Sequence, residues 1–169
     1  MKVLLVDDSR TVSAVFGARL AALGYEVVAA ENGQVAVERF QASAPDLVLM
    51  DIEMPVMGGF EAAQRIRAVE ATQEWAWTPI IFLTASDTPE NLVMAIEAGG
   101  DDFLAKSAPE AVLQAKMKAM TRIAALRAEL SLANRKLEAL ASRDGLTGLF
   151  NRRHMDVRLD HQWAEAVTS

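Results

Sequence analysis

The stretch Leu47-Val48-Leu49-Met50-Asp51 decides the fold, because four apolar residues follow one another directly and an acid ends the run. Two more runs are as dense, Val3–Val6 and Ile80–Leu83, and Glu26–Ala30 and Asp102–Ala105 are weaker candidates. Uninterrupted apolar runs are typical of strands in a parallel sheet that is covered on both faces. Segments with helical periodicity separate the runs, so strand and helix alternate five times within about 120 residues. The pattern predicts an α/β fold with a five-stranded, parallel, doubly wound sheet.

The composition excludes several classes of protein. The chain has 169 residues, with 17 Lys and Arg against 23 Asp and Glu, a formal net charge of −6 and no cysteine. Without cysteine, disulfide frameworks, thiolate metal sites and cysteine nucleophiles are excluded. The negative charge argues against a protein that coats the phosphates of nucleic acids, and the apolar runs are too short to cross a bilayer. We therefore expect a cytoplasmic protein that binds no nucleic acid and does not insert into a membrane.

A single long helix is predicted after the last strand. No Gly or Pro occurs between Pro109 and Gly145, and the residues between them are mostly Ala, Leu, Lys, Arg and Glu. These are strong helix formers, so the segment predicts an extended C-terminal helix of about 30 residues, longer than a compact domain of this size needs. Its first part is suited to packing on the sheet through Leu113, Met117 and Met120.

Further along this helix, apolar residues are spaced 3, 4, 3, 4 and 3 positions apart. They are Ile123, Leu126, Leu130, Ala133, Leu137 and Leu140. This spacing is typical of a heptad seam of about three repeats. Because the seam extends beyond the α/β core, its expected partner is the same helix of a second copy, which gives a homodimer. The alternative is that the seam folds back onto its own sheet.

Five polar residues come at the predicted ends of four strands. Asp7 and Asp8 follow the first strand, Asp51 the third, Thr84 the fourth and Lys106 the fifth. Doubly wound folds form their sites at the carboxyl ends of the strands. Three carboxylates placed together repel one another, and a divalent ion with oxygen ligands, Mg²⁺ above all, relieves that repulsion. With the hydroxyl of Thr84 and the ammonium group of Lys106, the arrangement predicts a cradle for a phosphoryl group.

Four stretches carry these residues in order: V-L-L-V-D-D at 3–8, D-I-E-M-P-V-M-G-G at 51–59, L-T-A-S at 83–86 and D-D-F-L-A-K at 101–106. Together they resemble the receiver domain of two-component response regulators, which has a flavodoxin-like fold, over residues 1 to about 120. The resemblance implies that Asp51 is the phosphoacceptor and takes its phosphoryl group from a histidine kinase or a phosphotransfer protein. It implies Mg²⁺ as the cofactor, with a metal site made of Asp7, Asp8, Asp51 and the backbone carbonyl of Glu53.

The same resemblance implies roles for residues around the phosphoacceptor. Thr84 and Lys106 are expected to hold the phosphoryl oxygens and stabilise charge during transfer. The small side chain of Ala85 leaves the approach to Asp51 open. Phe103 lies where receivers carry an aromatic residue that turns inward when the threonine moves.

One position departs from the receiver pattern. Receivers usually have a proline directly after the lysine, often with a cis peptide bond, and here Ser107 stands after Lys106. A cis bond without proline costs about 3–4 kcal/mol. We therefore expect a trans bond and a somewhat altered loop, with Lys106 still in reach of the site.

A second resemblance begins after the helix. The string D-G-L-T-G-L-F-N-R-R at 144–153 is similar to the opening of GGDEF domains, which are diguanylate cyclases. In that family the asparagine of the string and an aspartate nine residues later contact the guanine of GTP, which implies this role for Asn151 and Asp160 in an intact cyclase. A cyclase domain needs on the order of 150 residues. We therefore expect this chain to hold only the start of one and to make no cyclic di-GMP by itself.

The sequence thus predicts a receiver whose phosphorylation controls the dimerisation and output of a cyclase domain. The predicted boundaries are 1–120 for the receiver, 121–142 for the coiled-coil signalling helix and 143–169 for the N-terminal fragment of the cyclase domain. Two alternatives stay open. With Ser107 in place of proline, the receiver could be a dimerisation module that phosphorylation does not control. A phosphohydrolase with an aspartate nucleophile also uses a strand-end carboxylate and Mg²⁺, although such enzymes usually carry a D-x-D pair, and here Glu53 stands two residues after Asp51.

Overall fold

The computed structural model describes residues 1–73, 76–85 and 89–141. Strands and helices alternate along these residues. The strands are β1 (Lys2–Val6), β2 (Glu26–Ala30), β3 (Leu47–Asp51), β4 (Ile80–Thr84) and β5 (Asp102–Ala105). The helices are α1 (Arg10–Ala22), α2 (Gly33–Ser43), α3 (Gly59–Ala71), α4 (Pro89–Glu97) and α5 (Glu110–Ala141).

All five strands belong to one parallel sheet, in the order β2-β1-β3-β4-β5. This confirms the predicted α/β fold with a doubly wound, flavodoxin-like sheet. The three strands predicted from dense apolar runs, β1, β3 and β4, occupy the centre of the sheet. The two weaker candidates, β2 and β5, form its edges and are partly exposed. The proportion of apolar residues in each strand therefore indicates whether the strand lies at the centre or at an edge of the sheet.

Helices cover both faces of this sheet. On one face, Phe16 of α1 packs with the start of α5, including the three residues predicted to pack there, Leu113, Met117 and Met120. On the other face, the core contains Phe40 of α2, Ile66 of α3 and Ala95 of α4. The central strands are buried on both sides, which is why their apolar residues are continuous rather than alternating.

The predicted long helix is present as α5, which contains 32 residues. The chain divides into two compact units, Met1–Ala125 and Leu126–Ser169. In the second unit, the structure describes the helical residues 126–141. Among the helices described, none has the length and apolar character that a membrane span requires.

Arg67 of α3 joins three elements at the amino-terminal edge of the sheet. Its Nε donates to the carbonyl of Gly99 at 2.9 Å, and Nη1 donates to the carbonyl of Thr78 at 2.8 Å. It also forms ion pairs with Glu70 and with Asp101, whose Oδ2 lies 2.7 Å from Nη2. Burial raises the pKa of Asp101, and the nearby guanidinium group offsets part of that rise. One side chain thus ties α3 to the segments that lead into β4 and β5.

Replacing Arg67 by Met is expected to lower the free energy of unfolding by about 2–4 kcal/mol at pH 7, because Glu70 and Asp101 would keep their charges without a cation beside them. Removing the guanidinium group raises the pKa of Asp101 further above its unfolded value. A carboxyl group with a raised pKa destabilises the fold when it is ionised, and this cost disappears as the pH falls. The loss of stability should therefore be smaller at pH 5 than at pH 7, as measured by urea unfolding.

Arg65→Met is the matched control for this prediction. Among the residues that the structure describes, Arg65 pairs with Glu61, and both side chains are about half exposed, at 52% and 55%. Exposed pairs of this kind contribute less than about 1 kcal/mol, so the control should unfold almost as the wild type does. Equal losses for the Arg67 and Arg65 variants, or a loss that does not depend on pH, would show that the Arg67 contacts do not hold the fold in this way.

Candidate functional site

The carboxyl edge of the sheet brings the five predicted polar residues together. Asp7 and Asp8 follow β1 directly, and Asp51 is the last residue of β3, which pairs with β1. Thr84 ends β4, which pairs with β3, and Lys106 follows β5 at the end of the same row of strands. Parallel pairing of four adjacent strands is what places these residues at one edge of the molecule.

Asp7, Asp8 and Asp51 form an acidic cluster. One carboxylate oxygen from each lies within 4.8 Å of the others. Asp7 and Asp51 are buried, at 2% and 5% exposure, whereas Asp8 is exposed. The backbone N–H of Ser9 donates to Oδ1 of Asp7 at 2.9 Å and fixes that carboxylate. Two buried carboxylates this close need a positive charge beside them.

Lys106 supplies one such charge. Its Nζ lies 2.8 Å from Oδ2 of Asp7 and 2.7 Å from Oδ2 of Asp51. Burial raises the pKa of Asp51, while Lys106 and the backbone N–H of Ile52 offset part of the rise. Burial lowers the pKa of Lys106, but its interactions with the carboxylates of Asp51 and Asp7 outweigh this effect, and the pKa is raised overall. The lysine is therefore held in its charged form between the two buried acids.

The acidic cluster also fits a divalent cation. Three carboxylates and one ammonium group leave two formal negative charges, and Oδ2 of Asp7 is buried and accepts no hydrogen bond of good geometry, although it lies beside Lys106. Carboxylate oxygens are the ligands that Mg²⁺ prefers. Glu53 lies in the loop after β3 with its side chain exposed. The predicted role of its backbone carbonyl as a metal ligand stays a prediction.

Gly59 has a part in the site that the sequence analysis missed. It begins α3, and its N–H donates to the carbonyl of Ile52 at 2.9 Å. A Cβ at this position would lie 2.1 Å from the carbonyl oxygen of Asp51. Only glycine therefore lets α3 begin so close to the end of β3. The adjacent pair Gly58-Gly59 was the available signal, since paired glycines often mark a close approach of backbones.

Thr84, Ala85 and Phe103 lie on the β4 and β5 side of the site. Thr84 is buried, and its carbonyl accepts the backbone N–H of Lys106 at 2.8 Å. Ala85 is exposed. Phe103 packs against the core from a partly buried position, and Nζ of Lys116 lies 5.3 Å from the centre of its ring. The contacts of Thr84 with a phosphoryl group and the inward turn of Phe103 stay predictions.

Ser107 follows Lys106 through a trans peptide bond, as expected, since the described residues contain no cis bond. The N–H of Ala108 donates to the carbonyl of Ala105 at 2.9 Å and closes this loop. Lys106 reaches both Asp7 and Asp51 from it. With serine at position 107, Lys106 therefore still reaches the site, and the predicted change of the loop stays a prediction.

The seam residues on α5 are exposed. Ile123, Leu126, Leu130 and Leu137 are 40%, 66%, 59% and 63% exposed, and Ala133 is exposed as well. Pairing of the seam with a second copy, and the alternative in which the seam folds back onto its own sheet, both stay predictions. The side chain of Leu140, and the predicted guanine contacts Asn151 and Asp160, lie outside the described residues.

Comparison with known proteins agrees with this fold. A family model for the response regulator receiver domain matches residues 3–118. The chain belongs to the response regulator receiver family. The Bacillus subtilis protein YvcP, named as an uncharacterized transcriptional regulatory protein, is 38% identical over 121 residues, which are 72% of this chain and 48% of YvcP. The chain thus spans about half the length of this curated relative.

Solved structures show the same likeness. The chemotaxis protein CheY4 of Vibrio cholerae has a TM-score of 0.65 at 31% identity, over 70% of this chain and 97% of its own. A yeast Spc42 trimeric coiled coil fused to another structure has a TM-score of 0.69 at 30% identity, over 83% of this chain and 96% of its own. Receiver domains take phosphoryl groups from histidine kinases or phosphotransfer proteins in two-component systems, and they generally bind Mg²⁺ at an acidic pocket. In this receiver, Asp7, Asp8 and Asp51 form an acidic cluster, and the binding of Mg²⁺ by these three residues stays a prediction.

Mg²⁺ is expected to raise the midpoint of thermal unfolding of this receiver. A ligand at ten times its dissociation constant stabilises the folded state by about 1.4 kcal/mol, which corresponds to roughly 3–6 °C for a domain of this size. Asp8→Asn should abolish most of the shift, because it removes one of the three carboxylates. Differential scanning fluorimetry with and without MgCl₂, with NaCl at matched ionic strength, measures the effect.

Glu97→Gln serves as the control for this experiment, since it makes the same acid-to-amide change at an exposed residue of α4. It should keep the full shift. If Asp8→Asn also kept it, the acidic cluster would not be the place where the ion binds.

Proposed function

We propose that this receiver takes a phosphoryl group onto Asp51, and that phosphorylation controls dimerisation through α5 and the output of a diguanylate cyclase domain that begins near residue 143. The observation that carries the proposal is the buried carboxylate of Asp51, 2.7 Å from the ammonium group of Lys106, inside an acidic cluster that fits Mg²⁺. The combination supplies a nucleophile, a cation for the phosphoryl oxygens and a place for a metal ion.

Asp51 is the nucleophile of the proposed transfer. An oxygen of its ionised carboxylate attacks the phosphorus of a phosphohistidine, the P–N bond breaks, and the electron pair goes to the released ring nitrogen. The ring leaves as neutral imidazole when its other nitrogen carries a proton, and otherwise the released nitrogen takes up a proton from water. Lys106 favours this reaction because it pairs with the ionised form of Asp51. When bound by Asp7, Asp8, Asp51 and the carbonyl of Glu53, Mg²⁺ neutralises charge on the carboxylates and on the incoming phosphoryl oxygens.

The phosphorylated state differs from the free state mainly in charge. A phosphoryl group adds roughly two negative charges beside Lys106. The hydroxyl of Thr84 and the ammonium group of Lys106 bind its oxygens, and Ala85 leaves room for the donor. Phe103 follows Thr84 inward. These movements bias a pre-existing equilibrium between two conformations of the receiver.

Dimerisation through α5 links this equilibrium to the output. Leu126, Leu130 and Leu137 expose large apolar surfaces on one helix, and their heptad spacing suits a second copy of the same helix. The similarity to the Spc42 fusion, which contains a trimeric coiled coil, covers 83% of this chain against 70% for CheY4, and it supports a coiled coil along α5 without supporting a particular number of copies. The proposed assembly is a cytoplasmic homodimer that binds no nucleic acid.

The proposed output rests on the cyclase-like string at 144–153. A cyclase active site needs two GTP molecules facing each other, so the geometry of a dimer would control it. Asn151 and Asp160 are the proposed guanine contacts in an intact domain.

A small phosphodonor such as phosphoramidate is expected to phosphorylate the wild-type protein once, in the presence of Mg²⁺. Intact-mass spectrometry should show a single added phosphoryl group, and Asp51→Asn should show none. Failure to label the wild type would favour a dimerisation module that phosphorylation does not control. Repeated turnover of p-nitrophenyl phosphate, rather than one label per chain, would favour the aspartate-nucleophile phosphohydrolase.

Beryllofluoride, a mimic of the phosphoryl group, is expected to convert the wild-type protein from monomer to dimer in the presence of Mg²⁺. Asp51→Ala should remain a monomer, because it lacks the carboxylate to which the mimic binds. Sedimentation velocity measures both masses. A dimer in every sample would contradict control of assembly by phosphorylation, and a trimer would contradict the proposed homodimer.

A further inference from the structure

The heptad register of α5 assigns each seam residue to a position. Ile123, Leu130 and Leu137 occupy position a, and Leu126 and Ala133 occupy position d. In a parallel pair of helices, residues at a and d meet their counterparts from the other helix in successive layers. A second copy of this chain fits the seam because its helix repeats the same spacing in register. This step rests on the dimerisation through α5 proposed above.

One layer of the seam is much smaller than its neighbours. Ala133 stands at position d between the leucines at positions 130 and 137, where two-stranded coiled coils favour leucine. The stabilisation from apolar contact grows with the area removed from water. The Ala133 layer therefore contributes much less than a leucine layer would, in a seam of only about three repeats.

The charged positions beside the seam oppose pairing as well. In a parallel pair, the residue at position g of one helix faces the residue at position e of the next heptad in the other helix. Arg122 at g then faces Arg127 at e of the second copy, and the symmetry of the dimer produces this pair twice. Glu129 at g faces Asn134 at e, so this second pair adds no attraction between opposite charges. Like charges placed opposite each other destabilise an interface.

We propose that Ala133 and Arg127 keep the α5 seam too weak to form a dimer by itself, so that the helices pair only when phosphorylated receiver domains hold them together. Joining two helices through an existing contact raises their effective concentration without any new contact in the seam. A seam of this strength responds to the receiver, whereas an optimised seam would pair regardless of it.

Two substitutions test the proposal in the 169-residue protein. Ala133→Leu should tighten the dimer at least tenfold, because each copy then buries a leucine in that layer. Arg127→Glu should tighten it about fivefold, because two repulsive pairs become attractive ones with Arg122. By sedimentation velocity, both variants should form dimers without beryllofluoride, at concentrations where the wild type is a monomer, and should do so in an Asp51→Ala background as well.

Salt provides a second readout that separates the two substitutions. At about 1 M NaCl the Debye length falls to roughly 3 Å, which screens charge pairs at the rim of the seam. The beryllofluoride-bound wild-type dimer should therefore tighten with salt, and the Arg127→Glu dimer should loosen. Ala133→Leu should keep the salt response of the wild type, because its gain is apolar.

Matched controls make the same chemical changes on the outer side of the helix. Ala128→Leu and Arg135→Glu alter position f, which faces away from the seam in this register. Both should behave as the wild type does, with or without beryllofluoride. Ala, Leu, Arg and Glu are all strong helix formers, so the circular dichroism of all four variants should match the wild type and exclude an effect on helix content.

Each other outcome bears on a different claim. A wild type that is dimeric without beryllofluoride, and that Leu130→Lys converts to a monomer, would overturn the inference, since the seam would then suffice alone. If beryllofluoride produces a wild-type dimer that none of these substitutions changes, the seam is outside the interface and the proposed dimerisation through α5 fails. A wild type that stays monomeric with beryllofluoride, while Ala133→Leu dimerises, would support the weak seam and contradict its control by phosphorylation.

Discussion

The ammonium group of Lys106, held between the carboxylates of Asp7 and Asp51, is the interaction on which the site depends. Both acids are buried at the ends of adjacent strands, and burial raises the pKa of Asp51. The lysine pairs with both carboxylates and offsets part of that rise for Asp51. It neutralises only part of the cluster, which leaves room for a divalent cation and for the charge that a phosphoryl group brings.

The carboxyl and amino-terminal ends of the strands have different roles. At the carboxyl edge, polar side chains carry compensating charges that a phosphoryl group would disturb. At the amino-terminal edge, Arg67 ties α3 to the segments before β4 and β5 through backbone carbonyls and two acids. The charge of Arg67 is balanced by its ion pairs with Glu70 and Asp101.

Sequence reasoning succeeded where one local pattern had one structural meaning. Continuous apolar runs identified β1, β3 and β4, and strand order then determined that Asp51, Thr84 and Lys106 meet at one edge. The Arg67 contacts could not be predicted, because their acceptors are carbonyls of distant segments that have no sequence signature. The close approach of Gly59 to Asp51 was equally hidden, since a glycine pair before a helix has several explanations and only the backbone path selects one. The pairing of Lys106 with Asp7 as well as Asp51 also required the structure.

If phosphorylation controls assembly as proposed, its effect depends on how tightly the α5 seam pairs by itself. Phosphorylation shifts the monomer–dimer equilibrium only as far as it stabilises the dimer more than the monomer. The shift is small when the dimer already predominates without phosphorylation. An optimised seam would hold the dimer whatever the state of Asp51, and a polar helix would never pair. The leucines at positions 126, 130 and 137 give the helix direction and register, while Ala133 and Arg127 limit the affinity. On this proposal, different residues of one helix determine its pairing register and its pairing affinity. A small free-energy contribution from the contact between receiver domains is then enough to determine whether the helices pair.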